Sequence, residues 1–256
     1  MKSLASVLTG NECGLKFKSM YIDGISMPST APMNIGNWFE YTATGQLPRS
    51  GEVPEPKTLK NGNLAIDYVR MEKQVDNYHA MLKHHGFTVE STGHVFKKHE
   101  LATGISDVHA RKDGKLCIID VKTTGLFDNK WEEFGWAMER IEEKHDLMIQ
   151  AVHYSYLAKL EFKEPVDFYF AVFSTKNDYD YKLIKVNIDE DTFITHDHDI
   201  QKYSTLLQVM VKQGFKANPS YDLCRKCYLK ETCLKASKVA EIKTIDYTNA
   251  NQSHYE

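Results

Sequence analysis

Two groups of residues in this sequence have types and spacings suited to chemistry. The first is Asp107, Asp120 and Lys122. Asp120 and Lys122 end the apolar run Leu-Cys-Ile-Ile-Asp-Val-Lys at 116–122. In an extended strand alternate side chains share a face, so these two project together while Val121 points the other way. A carboxylate and an ammonium placed there are costly unless they pair or bind something. Asp107 lies on the preceding strand-like run, and Asp113–Gly114 between the runs is a hairpin signal. The two aspartates can therefore sit side by side. Together they make a hard oxygen site suited to magnesium or manganese, and Lys122 could steady an attacking water or charge developing on a phosphate. On spacing alone, a surface salt bridge between Asp120 and Lys122, with Asp107 an unrelated turn residue, explains the pattern equally well.

The second group is Cys224-x2-Cys227-x5-Cys233, with Cys13 near the other end of the chain. Short cysteine spacings bring thiolates within reach of one centre, and soft thiolates select zinc or an iron–sulfur cluster. Three ligands leave a site one short, and Cys13 is the natural fourth. The fifth cysteine, Cys117, sits inside the apolar run and reads as a small core residue. The sequence has 11 histidines. Among them, His84, His85, His153, His196 and His198 read as helix-end or surface residues rather than ligands.

The elements that must position these residues follow from periodicity. A helix is expected at 34–45, then an exposed Pro/Gly-rich loop at 46–63. Leu64, Tyr68, Met71, Val75, Tyr78 and Leu82 recur at three- and four-residue steps, which defines one face of a helix ended by Gly86. Short β-rich pieces follow at 87–90 with 93–98, 103–110 and 116–122. The stretch 131–160 reads as helical with a break near 144–146, and it includes Trp131, Phe134 and Trp136. Strands at 167–174 and 181–186 and a late helix at 197–212 complete the pattern, and 244–256 is a polar tail. Helices around a strand cluster indicate an α/β fold with a mixed sheet.

Composition is ordinary for a globular chain: 256 residues, 42% hydrophobic and 26% charged, net charge −3. Bulk charge does not announce a nucleic-acid partner, so any DNA groove must be a local basic patch helped by bound cations. No run of about 18 apolar residues suggests a membrane span, and residues 1–11 lack a secretory apolar stretch. A cytoplasmic location is expected, in host cytoplasm if the chain is viral.

The motifs resemble a known family. Gly104-Ile105-Ser106-Asp107, then Ile118-Ile119-Asp120-Val121-Lys122-Thr123-Thr124, is similar to the core of the PD-(D/E)XK nuclease superfamily. Gln150 and Tyr154, one helical turn apart, match the Gln-x-x-x-Tyr signature of its RecB-like branch. One cysteine before the core and three after it resemble the iron–sulfur members of that branch, which include CRISPR spacer-acquisition exonucleases and the AddB nuclease domain.

The resemblance implies a restriction-endonuclease-like core with a mixed central sheet flanked by helices. It would form one domain over 1–243, its two ends joined by the four cysteines. It implies a DNA exonuclease with Asp107, Asp120 and the Val121 carbonyl as magnesium or manganese ligands, and Lys122 as the catalytic lysine. Gln150 and Tyr154 would orient the site or the DNA strand. Where relatives often carry a metal-binding His in an early helix this chain has Glu40, which could serve a hard cation or be a plain helix glutamate. Cys13, Cys224, Cys227 and Cys233 would hold a structural [4Fe-4S] cluster, with zinc as the alternative. Implied partners are single-stranded or duplex DNA ends and a helicase, recombination or CRISPR adaptation protein. A non-cleaving nucleic-acid-binding or assembly subunit and a structure-specific endonuclease are the competing functions.

Overall fold

A computed structural model describes residues 13–25, 28–48, 50–129, 136, 145–218, 221–225 and 227–236. The early helices are α1 (Gly14–Tyr21), α2 (Ala31–Thr44) and α3 (Ile66–His84). They lead into β1 (Thr88–Phe96), β2 (Gly104–Lys112) and β3 (Lys115–Thr124). Then come α4 (His145–Phe162), β4 (Val166–Ser174), β5 (Tyr181–Val186) and α5 (Glu190–Gln213), with the short helices α6 (Tyr221–Cys224) and α7 (Lys230–Ala236).

The five strands form one mixed sheet in the order β1-β2-β3-β4-β5. The β2–β3 hairpin is antiparallel, turning at Asp113 and Gly114, both of which hold positive φ. β3 and β4 run parallel, with Asp120 beside Phe170 and Lys122 beside Val172. A parallel pair needs a crossover, and α4 is its helix among the described residues. Parallel central strands are covered on both faces, which explains why 116–121 is apolar apart from Asp120. Cys117, Ile119 and Val121 face α2 and α3, packing with Phe39, Met71 and Tyr78. Ile118 faces α4, packing with Ala151, Leu157 and Phe170.

Several expectations shift. The pieces at 87–90 and 93–98 are one strand, β1, whose register jumps between Val89 and Ser91; a bulge breaks the alternation. α2 starts at Ala31, ahead of the expected 34, because Thr30 accepts the Met33 N–H at 3.4 Å and a proline occupies the first turn. α5 starts at Glu190, because Asp189 accepts the Thr192 N–H at 2.8 Å. Trp136 is not helical; its N–H is shared between the Leu126 and Phe127 carbonyls at 3.2 and 3.1 Å. The rest of 130–144 and the tail at 244–256 lie outside the described residues. Among the described residues no helix is long and apolar enough to cross a membrane.

Candidate active site

The β2–β3 ladder runs to the pair Val108 and Ile119. One residue further, Asp107 turns its carboxylate onto β3, and Oδ2 accepts the Val121 backbone N–H at 2.7 Å. A side chain thus takes a donor that would otherwise belong to the sheet, which fixes Asp107 beside Asp120. Asp120 is fully buried. Its Oδ1 accepts from Gln150 Nε2 at 2.8 Å, and its Oδ2 forms an ion pair with Lys122. Gln150 Nε2 also lies 3.4 Å from the Tyr154 hydroxyl, so one turn of α4 presents both groups to the end of β3. Tyr154 reaches that position because Gly104 gives its ring room: a Cβ on Gly104 would stand 2.8 Å from Tyr154 Cε1.

The electrostatics follow from this convergence. Burial raises the Asp107 carboxyl well above its ordinary range, and Asp120 and Glu40 push it further, against Lys122 and the Val121 N–H. Glu40 on α2 is raised by burial, opposed by Lys122 and reinforced by Asp120. Burial alone would lower the Lys122 ammonium, but Asp120 and Asp107 outweigh it and hold it above its usual value. Tyr154 is raised by burial and by Asp120.

Asp107, Asp120, Lys122, Gln150, Tyr154 and Glu40 therefore meet at one place. An opening of about 360 Å3, lined by Met33, Gly36, Glu40, Val121, Lys122 and Thr123 among others, leads to it. A larger hollow of about 650 Å3 along β1 touches none of these groups. Three carboxylates against one ammonium leave two negative charges uncompensated when all are ionised. Buried hard oxygens with that deficit fit a divalent cation. Among the described residues, though, no three of His, Cys, Asp or Glu are arranged as a ready-made metal cage.

The cysteines are also brought together. Cys233 is raised by burial and then by Cys13, Cys224 and Cys227, so all four thiols lie within electrostatic reach. The Asn218 N–H reaches Cys13 Sγ at 3.3 Å. A Cβ on Gly14 would stand 2.7 Å from the Lys216 carbonyl oxygen, so the early and late segments press closely together. Cys117 is buried in the sheet, its thiol pushed up to about 11 by burial.

Two histidines depart from the surface reading. His153 and His196 are buried and bonded at 3.0 Å, and His153 Nε2 meets the Thr103 carbonyl at 3.0 Å. A carbonyl only accepts, so His153 carries its proton on Nε2 and His196 donates to its bare Nδ1. With Tyr154 on Gly104, this bond ties α4 to the start of β2, four residues before Asp107. The pairing depends on α5, which sequence spacing cannot position. Ser106 and His109, on either side of Asp107 in the sequence of β2, form a second buried bond at 2.6 Å.

Comparison with known proteins bears on this geometry. The model of the PD-(D/E)XK nuclease superfamily matches residues 3–234. A solved structure of a candidate exonuclease from Eubacterium rectale superposes with a TM-score of 0.59 at 15% identity, covering 95% of this chain and 87% of that one. That likeness shows a shared fold. A second, SSO0001, covers 86% of this chain and 94% of its own at 11% identity, but its TM-score of 0.30 carries no weight. No curated protein matches the sequence.

Proposed function

This chain belongs to the PD-(D/E)XK nuclease superfamily, and within it we propose a metal-dependent DNA exonuclease of the RecB-like branch. The carrying observation is the convergence of buried Asp107 and Asp120 with Glu40 and Lys122, with Gln150 fixing Asp120. Burying like charges together is unfavourable, and a non-cutting subunit has no use for the arrangement. Asp107, Asp120, Glu40 and the Val121 carbonyl would hold magnesium or manganese. Such an ion, when bound, makes water a nucleophile near neutral pH and neutralises charge on phosphate.

The chain's own groups supply the rest. Gln150 holds Asp120 in one orientation by donating to Oδ1. Asp107 is held by the Val121 N–H, so a strand pair rather than a loop positions both carboxylates. Lys122 offers N–H donors to the attacking water or to a non-bridging phosphate oxygen. Water's oxygen bonds to phosphorus and gives up a proton to solvent, the bond to the leaving sugar oxygen breaks, and that oxygen takes up a proton from solvent. The exonuclease mode rests on Gln150, Tyr154 and the cysteine frame, and the Eubacterium rectale protein of this fold is named for the same activity.

The four thiols act on one another electrostatically, and thiolates are the ligand type that zinc and iron–sulfur clusters take. We assign them to a [4Fe-4S] cluster joining the ends of one domain, and zinc on the same thiolates is the second reading. The test is degradation of end-labelled single- and double-stranded DNA with and without manganese. Progressive shortening from ends is expected, abolished in Asp120→Asn. Wild-type-rate digestion by Asp120→Asn would sink the assignment.

A further inference from the structure

The loop joining β4 to β5, residues 175–180, stands at the end of the sheet where the site opens. The Thr175 N–H donates to the Thr124 carbonyl at 2.8 Å, so the chain leaves β4 beside the end of β3. Gly125 lies roughly 10 Å of extended chain beyond Lys122. A Cβ on Gly125 would stand 3.2 Å from Lys176 Cε and 3.9 Å from its Nζ. Lys176 therefore sits next to the lip that Lys122 and Thr123 form. It is exposed, and no carboxylate among the described residues pairs with it. The acids of the loop are engaged elsewhere: Asp178 with Lys73 at 2.6 Å, and Asp180 with Asn177 Nδ2 at 2.7 Å. Tyr179 is 70% exposed, and its ring meets no other ring among the described residues.

The loop is held from beneath by buried amides. Gln74 on α3 is fully buried. Its Nε2 shares its hydrogens among the carbonyls of Ser174, Asn177 and Asp180 at 3.2, 3.2 and 3.1 Å. Asn77 donates to the Asp178 carbonyl at 2.9 Å and to Gln74 Oε1 at 2.8 Å. Asn177 Oδ1 accepts the N–H groups of Tyr179 and Asp180 at 3.2 and 2.7 Å. A hairpin can close with two residues and no help from a core, whereas a buried amide is tolerated only with its bonds made. Here those bonds fix the backbone that carries Lys176 and Tyr179, so presenting the two side chains to a ligand costs little further ordering.

A free ammonium and a free aromatic face, beside groups suited to a phosphodiester, match a single strand. The ammonium takes a backbone phosphate, and the ring takes the face of an unpaired base. Inside a duplex both faces of each base are covered by its stacked neighbours. We propose that the β4–β5 loop is a strand-holding subsite for single-stranded DNA, with Tyr179 stacked on an unpaired base and Lys176 on a phosphate within about three nucleotides of the one cut. The inference rests on the nuclease reading and gives it a form of substrate.

The test uses the full chain as wild type, Tyr179→Ala, Tyr179→Phe and Lys176→Ala. KM is measured with manganese on a labelled thymidine oligonucleotide and on a blunt duplex. Binding of the same DNAs is followed by fluorescence anisotropy in an Asp120→Asn background. Tyr179→Ala should weaken single-strand binding and raise KM by about tenfold, with phenylalanine restoring both. Lys176→Ala should reduce the slope of log affinity against log salt by about 0.7, the loss of one phosphate contact on a single strand. Manganese affinity by calorimetry should stay at the wild-type value in every loop variant. If both alanine variants keep wild-type KM, affinity and salt slope while wild type cuts DNA, the subsite is wrong and the nuclease reading stands. An equal loss on blunt duplex, or a parallel loss of manganese affinity, would also overturn the subsite. Wild-type protein that cuts neither DNA would sink the nuclease reading and this inference with it.

Discussion

Alanine at position 104 would meet the Tyr154 ring, and the consequence can be worked from the structure. Gly104 does not hold a positive φ, so alanine is compatible with its backbone, and any cost must come from the contact. A Cβ there stands 2.8 Å from Tyr154 Cε1, 3.1 Å from Cδ1 and 3.4 Å from Leu157 Cδ1. Carbon atoms prefer about 3.5–4.0 Å, so the ring must retreat by roughly 0.7–1.2 Å. It is half-buried, packed from α4 against the core that holds Phe96 and Leu157, so its retreat disturbs that packing. Overpacking of this kind costs about 1–3 kcal/mol. The retreat also carries the hydroxyl away from Gln150, which holds Asp120. Misplacement on this scale next to a reacting centre costs roughly 10–100-fold in rate. Urea unfolding with linear extrapolation measures the first effect, and kcat/KM on end-labelled DNA the second. The decisive comparison is Gly104→Ala made in a Tyr154→Ala background. With no ring to meet, alanine should be neutral or stabilise by about 0.4–1 kcal/mol through the unfolded chain. A full-length penalty persisting without the ring, or no penalty with it, would refute the steric account.

Glu40→Gln should leave the fold intact and weaken manganese binding about tenfold, since one carboxylate of the cluster is lost; calorimetry equal to wild type would return Glu40 to a plain helix glutamate. His153 and His196 are pushed down to about 4 by burial. Their folded pKa values lie below the unfolded value of about 6.5, so the stability they contribute is present above pH 6.5 and lost as pH falls toward 4. The raised Asp107 and Glu40 act in the opposite sense, so the readout is a difference: thermal unfolding of a His153→Gln, His196→Gln pair should depend less steeply on pH between 6.5 and 4 than wild type. An unchanged slope would mean the pair does not titrate with folding. Cys13→Ser should harm folding and bleach the brown colour of anaerobically purified protein, whereas Cys117→Ser should keep the colour. Colourless wild-type protein with stoichiometric zinc would replace the cluster by the second reading.

Much of the site is legible in the sequence because its signals are local. Strand alternation places Asp120 and Lys122 together, the Asp113–Gly114 turn returns Asp107 to them, and helical spacing aligns Gln150 with Tyr154. Each depends on a periodicity that a short window of residues determines. The cysteine spacing is legible for the same reason among the late three, and Cys13 joins them as the fourth ligand that such a centre needs.

Tertiary structure alone decides what depends on elements far apart in the chain. Glu40 comes within electrostatic range of Asp120 because α2 packs on the end of β3, where a Cβ on Gly36 would stand 3.1 Å from Thr123 Oγ1; in the sequence only the family resemblance points to residue 40, and the local spacing does not record the approach. His153 and His196 are 43 residues apart and read as surface groups one at a time, yet each supplies the hydrogen-bond partner that makes burial of the other tolerable. The Asp107 carboxylate takes the Val121 N–H only because the ladder ends where it does. Periodicity fixes which face a residue occupies within its own element, and packing between elements fixes what that face meets.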